Sequence, residues 1–186
     1  MMRLTIEKAT ADDLAHIGSD ICERKGEIYG VVSRCASGYP QVVVFNPVKD
    51  AETGELNTAA LDDILWITCP VIHSRISELE KNGVLERVRQ LIASDRSIPT
   101  ETGNAHAPYY DSRTEVYRQI TGEDYPADKI PMFDSGIGGA QDPKQVNCLH
   151  VHYAHYMVCQ SNIVGRAIEG YVAEAVCDGS RCPCGK

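Results

Sequence analysis

The chain has 186 residues, 43% of them hydrophobic, and a formal net charge of −8 from 26 acidic and 18 basic residues. That length suits one domain with a substantial core, and the apolar content excludes a disordered segment. The acidic balance argues against broad nucleic-acid binding while leaving room for a local basic pocket. No apolar run reaches bilayer length, and the opening MMRLTIEKATADD lacks a secretory pattern, so the expectation is a soluble, cytoplasmic protein with no membrane partner.

Thr10 caps an expected first helix that runs to about Arg24 and ends at Gly26. Glu27 to Cys35 and Gln41 to Phe45 read as strands around an ASGYP turn. Residues 50–55 read as a loop and Ile64 to Thr68 as a third strand. Pro70 suits the first turn of a helix with Ile72, Ile76 and Leu79 on its inner face, closed by Asn82 and Gly83. A second helix carries Leu85, Val88, Leu91 and Ile92, and a more polar third spans Glu101 to Ile120. After a Gly/Pro-rich loop over 121–139, two helices finish the chain. The expected fold is α+β, with a small antiparallel sheet of about three strands packed on five to six helices. Residues 1–176 form one domain and 177–186 a Cys-rich tail.

Eight cysteines are many for this length, and without an export signal they read as reduced thiols available for metal or redox chemistry. Cys22 and Cys69 have no close partner at ligand spacing and read as small buried residues. The chemistry concentrates in VNCLHVHYAHYMVC, placed on a helix capped by Asp142, Pro143 and Gln145. At about 100° per residue, Cys148, His152, His155 and Cys159 fall within roughly 40° of one another, and His150 points to the opposite side. Thiolate and imidazole are ligands for zinc and other transition metals. The bland alternative is that these are core cysteines and histidines satisfied by carbonyls or Tyr hydroxyls. The tail Cys177, Cys182 and Cys184 resembles half of a zinc set, or less readily an iron–sulfur set, with a frayed tail or a strained disulfide as alternatives.

Ser135 to Gly139 is glycine-rich, and Gly138 and Gly139 there would let backbone N–H groups approach an anion; a plain connector is the competing reading. His106, Tyr109 and Arg113 share a helical face that would contact a small anionic substrate, with Arg113 as the clamp, or be merely solvated.

These pieces in this order resemble the bacterial domain-of-unknown-function family numbered 501, over about Ala11 to Ala175. The most specific block is Gly138, Gly139, Asp142, Val146, Cys148, Leu149, His150, Ala154 and His155. Arg34-Cys35 with Gly38 and Pro40, Thr68 with Pro70, Leu79-Glu80 with Gly83, and His106 with Tyr109 and Arg113 match as well. The chain departs from the pattern at Ile163, in the extra residues between Gly139 and Val146, and in lacking the arginine of that segment. The resemblance implies no activity, but it selects Cys35, His106, Arg113, Cys148, His150 and His155.

Three functions compete. In the first, a metal-dependent enzyme, Cys148 and His155 are ligands with His106, His150 or Cys35 completing the set around zinc or another transition metal, and His152 as the intermediate ligand if the two share one ion. In the second, a structural ion supports a binding or regulatory module. In the third, Cys148 is a metal-free nucleophile with His150 or His155 as base. Cys35 is expected near the Cys148 helix, and Cys148 and His155 are expected to serve one pocket.

Overall fold

The computed structural model describes residues 4–17, 26–50, 53–57, 60, 63–95, 98–124, 135–142 and 144–173; over 98–107 it describes the side chain of His106 alone. Cys22 and the tail cysteines Cys177, Cys182 and Cys184 lie outside the described residues.

Antiparallel pairing joins β1 (Glu7–Lys8), β2 (Ile28–Arg34), β3 (Pro40–Phe45) and β6 (Leu65–Ile67) into one sheet in the order β1-β2-β3-β6. The β2–β3 connection is tight. Cys35 N–H donates to Tyr39 O and Gly38 N–H to Cys35 O, and Gly38 sits at φ 86°, where a side chain would strain the backbone. The loop expected over residues 50–55 connects two short strands, β4 (Val48–Asp50) and β5 (Glu55–Leu56), that form a second small hairpin. Its closure rests on Gly54 N–H donating to Asp50 O and on a Lys49–Glu55 ion pair, local contacts without an apolar signature.

Six helices appear among the described residues. α1 (Ala11–Ile17) follows β1; α2 (Pro70–Lys81), α3 (Val84–Ser94) and α4 (Ile98–Thr121) follow the sheet; α5 (Leu149–Cys159) and α6 (Ile163–Ala173) close the described chain. No described helix is long and apolar enough to cross a membrane. The expected α+β architecture is therefore present, with one more sheet strand than anticipated and the extra hairpin.

All six residues of β3 are buried, so this strand is covered on both faces. Val42 and Val44 face the larger cluster, with Ile72, Ile76 and Leu79 of α2, Leu149 and Val151 of α5, and Val164 and Ile168 of α6. Val43 and Phe45 face a smaller cluster with Ile28, Val31 and Ala60. Ile72, Ile76 and Leu79 point inward as their spacing dictates. α5 and α6 approach closely because Gly165 has no side chain; a Cβ there would collide with Tyr156 and the His152 carbonyl.

The start of the Cys/His helix differs from expectation. Asp142 does cap, accepting from Lys144 N–H at 2.7 Å, and the Gln145 side chain does reach back, to Gln141 N–H at 2.9 Å. These contacts close an isolated turn. Arg89 donates to Val146 O, Val146 is buried, and Asn147 donates to Gly138 O, which together hold residues 145–148 non-helical until α5 begins at Leu149.

At the other end of the sheet, Arg34 gathers Glu7 of β1, Asp13 of α1 and the Gly38 carbonyl. Asp13 also accepts from the Thr10 backbone N–H and hydroxyl while Thr10 caps the Asp13 N–H. The Arg34 guanidinium, against the opposing effect of burial, holds the Asp13 carboxyl well below the usual carboxylate range. A depressed folded-state value means that this stabilisation is present above about pH 4 and is lost as pH falls toward the folded value. Asp13→Asn should cost about 1.5–3 kcal/mol at pH 7. In urea melts at pH 7 and pH 3, the gap between wild type and variant should narrow at the lower pH; an equal gap at both would remove the ionic part of the contact.

Candidate metal centre at the start of helix α5

Cys148 precedes the first turn of α5 in an extended conformation, φ −151° and ψ 126°, and its side chain makes no cap hydrogen bond. A cysteine outside the helix does not follow the helical wheel. Its Sγ turns instead toward His150, 3.7 Å from Nδ1, two residues on. The exposed donors of the helix start are met from another element. Glu80, in the last turn of α2, accepts the Leu149 N–H at Oε1, 2.7 Å away. A carboxylate at a helix N-terminus is electrostatically favoured. Its other oxygen, Oε2, lies 3.4 Å from His150 Nδ1. One ligand atom from each of Glu80, Cys148 and His150 thus lies within 4.8 Å of the others.

The opposite ring nitrogen of His150 is 3.2 Å from the His73 carbonyl oxygen and 3.2 Å from Ser77 Oγ. A carbonyl only accepts, so Nε2 carries hydrogen and Nδ1 faces Cys148 and Glu80. His73, Ser77 and Glu80 stand at i, i+4 and i+7 of α2, one stripe that meets the imidazole along its length. The His73 ring lies 4.5 Å from that of His150, and Trp66 of β6 stacks 6.5 Å away at 11°.

Charge follows from this enclosure. Burial works against an imidazolium at His150, but Cys148 and Glu80 outweigh it and raise the pKa to about 10. Burial likewise opposes ionisation of Glu80, yet His150 and the Leu149 N–H hold its carboxyl below the usual value. His150 is buried, whereas Glu80 and Cys148 are half-buried.

The remaining selected residues lie elsewhere. His155 and Cys159 meet farther along α5, with His155 Nε2 2.8 Å from Cys159 Sγ. The Asn162 carboxamide accepts Gly165 N–H at Oδ1 and sets Nδ2 3.2 Å from His155 Nδ1, while His152 Nδ1 lies 3.1 Å from Nδ2 and 3.2 Å from Oδ1 of the same amide. Cys148 and His155 therefore join different clusters, because the wheel that aligned them began six residues too early. Cys35 closes the β2–β3 turn, and neither it, His152 nor His155 contributes an atom to the Glu80 cluster.

His106, Arg113 and the glycine turn are brought together. Ile137 N–H donates to His106 Nδ1 at 3.0 Å, and buried Arg113 donates to Ser135 O at 3.1 Å. Gly138 and Gly139 take positive φ of 65° and 73° in the short 3-10 turn Ile137–Gly139. The Arg113 guanidinium lies 5.3 Å from the Tyr109 ring centre, and the Tyr109 hydroxyl accepts Ile64 N–H. Glu80 and Ser77 were not among the selected ligands, although Glu80 stood in a matching Leu79-Glu80 pair; an acid on a helix 69 residues from Leu149 gives no spacing signal.

The family model described as "Protein of unknown function (DUF501)" matches residues 31–169. That range contains every residue of the Glu80 cluster. The curated proteins and the solved structures compared with the chain give no match.

His152 and His155 have no exposed surface. Burial, reinforced by the neighbouring histidines, lowers the His152 pKa to about 3 despite its Asn162 contact. Burial, with His106 adding to it, lowers that of His155 to about 4. The unfolded chain binds these protons near pH 6.5 and the folded chain does not, so stability falls as pH drops from about 6.5 toward 4. Denaturant melts across that interval should show the decline, and His152→Gln should reduce its slope by about one proton. An unchanged slope in a folded variant would show that His152 is not one of the groups that titrate on unfolding.

Proposed function

The chain belongs to the DUF501 family of proteins of unknown function, and we propose that it binds a transition-metal ion through Glu80, Cys148 and His150. The observation that carries the reading is the arrangement of His150. Its Nε2–H is committed to a backbone carbonyl, and its Nδ1 is turned to a thiol and a carboxylate within ligand distance of each other. A metal-ligating histidine is oriented in this way by a partner on its other nitrogen. Thiolate, imidazole and carboxylate together fit zinc best among the common ions.

Three ligand groups among the described residues leave a tetrahedral ion one position for water or substrate, the pattern of a catalytic rather than a closed structural site. Half-buried Glu80 and Cys148 keep that side accessible. A bound ion there would polarise a substrate oxygen or lower the pKa of water. The reading is therefore a metal-dependent enzyme.

The short Cys148–His150 contact favours one second reading, a metal-free thiol enzyme. In such a triad the nucleophile and the orienting acid engage opposite nitrogens of the imidazole. Here Cys148 and Glu80 converge on the same Nδ1, an arrangement suited to a shared ion.

Elemental analysis of untagged chain should find one zinc more per chain in wild type than in Cys148→Ser or His150→Ala. Equal metal content in all three would sink the metal reading. Trp66 is the sole tryptophan and stacks near His150, so its emission should be quenched on titration with cobalt(II) and not in His150→Ala. Ser77→Ala should weaken binding about tenfold through the orientation of the ring. The metal-free chain holds the His150 proton up to about pH 10, so an arriving ion must displace it. Apparent affinity should rise about tenfold per pH unit between 7 and 9 for that proton alone. A pH-independent affinity over that range would exclude Nδ1 of His150 as a ligand.

A further inference from the structure

A second polar centre lies between α4 and α5, shares no residue with the metal site and does not depend on it. We infer that His106, Arg113 and His152 form an interior binding site for a small oxyanion of phosphate or carboxylate type. The inference stands on a buried ring nitrogen of His152, on a donor fixed beside it and on an enclosed positive charge.

α4 carries His106, Tyr109 and Arg113 at i, i+3 and i+7, one stripe of the helix. It meets His152 and His155 of α5 in the same order. The His106 ring lies 5.8 Å from that of His152, and the Tyr109 ring 5.5 Å from that of His155. His152 has no exposed surface. Its Nδ1 lies against the Asn162 amide. Its Nε2, on the far side of the ring, meets no hydrogen-bond partner among the described residues. Native interiors keep few such nitrogens, because each forfeits its hydration without return. His106 brings a defined donor to this ring. Ile137 N–H donates to His106 Nδ1, so the ring hydrogen is on Nε2, an atom that is itself buried. Side chains of a helix lean toward its N-terminus, and Arg113 follows that rule. It is buried, and its guanidinium lies 5.3 Å from the Tyr109 ring centre, one turn back toward His106. Arg113 and His106 hold the same short segment, at Ser135 O and at Ile137 N–H.

These groups suit an anionic oxygen. A guanidinium stays charged in any protein environment, and its planar fork of donors fits carboxylate and phosphate. His106 Nε2–H is a donor. His152 adapts to its partner. Nδ2 and Oδ1 of Asn162 lie 3.1 Å and 3.2 Å from His152 Nδ1, so the amide can serve either tautomer. An anion selects the one with hydrogen on Nε2. A metal ion matches less well, because His106 has no lone pair at Nε2 while Ile137 N–H occupies Nδ1. His106 is half-buried, whereas Arg113 and His152 are enclosed, so the way in runs along the His106 ring.

The test is calorimetric titration of the full chain with inorganic phosphate, sulfate and acetate at constant ionic strength. Saturable binding of one ion per chain supports the site, and the order of the three affinities tells a tetrahedral ion from a carboxylate. His106→Asn and His152→Asn each keep an amide where Nδ1 stands and remove Nε2. Each should weaken binding about tenfold. Arg113→Lys keeps the charge, loses the fork and should weaken it comparably. Added EDTA should leave the affinity unchanged; binding lost on chelation would place the anion on a metal ion and overturn the inference. The inference also fails if none of the three ions saturates, which leaves the space to water, or if both Asn variants fold and bind like wild type. Should an Asn variant not fold, the ring nitrogen-15 signals of His106 and His152 in the wild-type chain decide. Phosphate must shift both, and an unmoved pair overturns the inference.

Discussion

The Glu80 carboxylate is the contact on which the rest of the site depends. One oxygen takes the Leu149 N–H and thereby fixes where α5 begins; the other faces His150. A helix start buried against another element needs an acceptor for its first N–H groups, and here the Cys148 side chain at the cap position does not supply one. Glu80 supplies it from α2. The same side chain that lets α5 start at Leu149 also leaves Cys148 extended and able to turn toward His150. Backbone satisfaction and ligand convergence have one cause.

α5 carries two clusters of different character, one at each end and about 16 Å apart along its axis. At the start, a thiol, an imidazole and a carboxylate converge, and the imidazole gains a proton from its surroundings. Toward the end, two imidazoles are held neutral by burial, with the Asn162 carboxamide lying against the Nδ1 of each. The contrast follows from what each histidine meets. His150 has an acid and a thiol at hand, whereas His152 and His155 meet an uncharged amide and one another. The same residue type on one short helix is thus tuned in opposite directions by neighbours.

Much of the architecture was legible because it rests on periodicity. Ile72, Ile76 and Leu79, the ASGYP turn and the Thr10 cap each have a local cause, and each appears where its pattern places it. The start of α5 was not legible, since the Asp142 and Gln145 signals are real but are spent on a separate turn. What keeps that turn from propagating is tertiary: Arg89 on Val146 and Asn147 on Gly138. The centre itself was half visible. Cys148 and His150 are two residues apart, but their meeting depends on a non-helical Cys148. Glu80 depends on a packing of α2 against α5 that no local spacing encodes.

β3 raises a question of folding fidelity. Its Val42-Val43-Val44-Phe45 run is apolar on both faces, since each face meets its own cluster. In a strand with one wet face, sliding by one residue would expose the hydrophobic set, and this penalty enforces alignment. Here a slide would exchange one valine for another on either side at little hydrophobic penalty. Alignment must come from the strand's ends: the hairpin hydrogen bonds between Cys35 and Tyr39, the Thr68 hydroxyl on the Pro40 carbonyl, and the Ile64 carbonyl on Phe45 N–H. The accuracy of the whole sheet is thereby delegated to a few polar contacts around its most apolar segment. Damage to that turn would give mispaired, aggregation-prone chains before it gave a weaker native state.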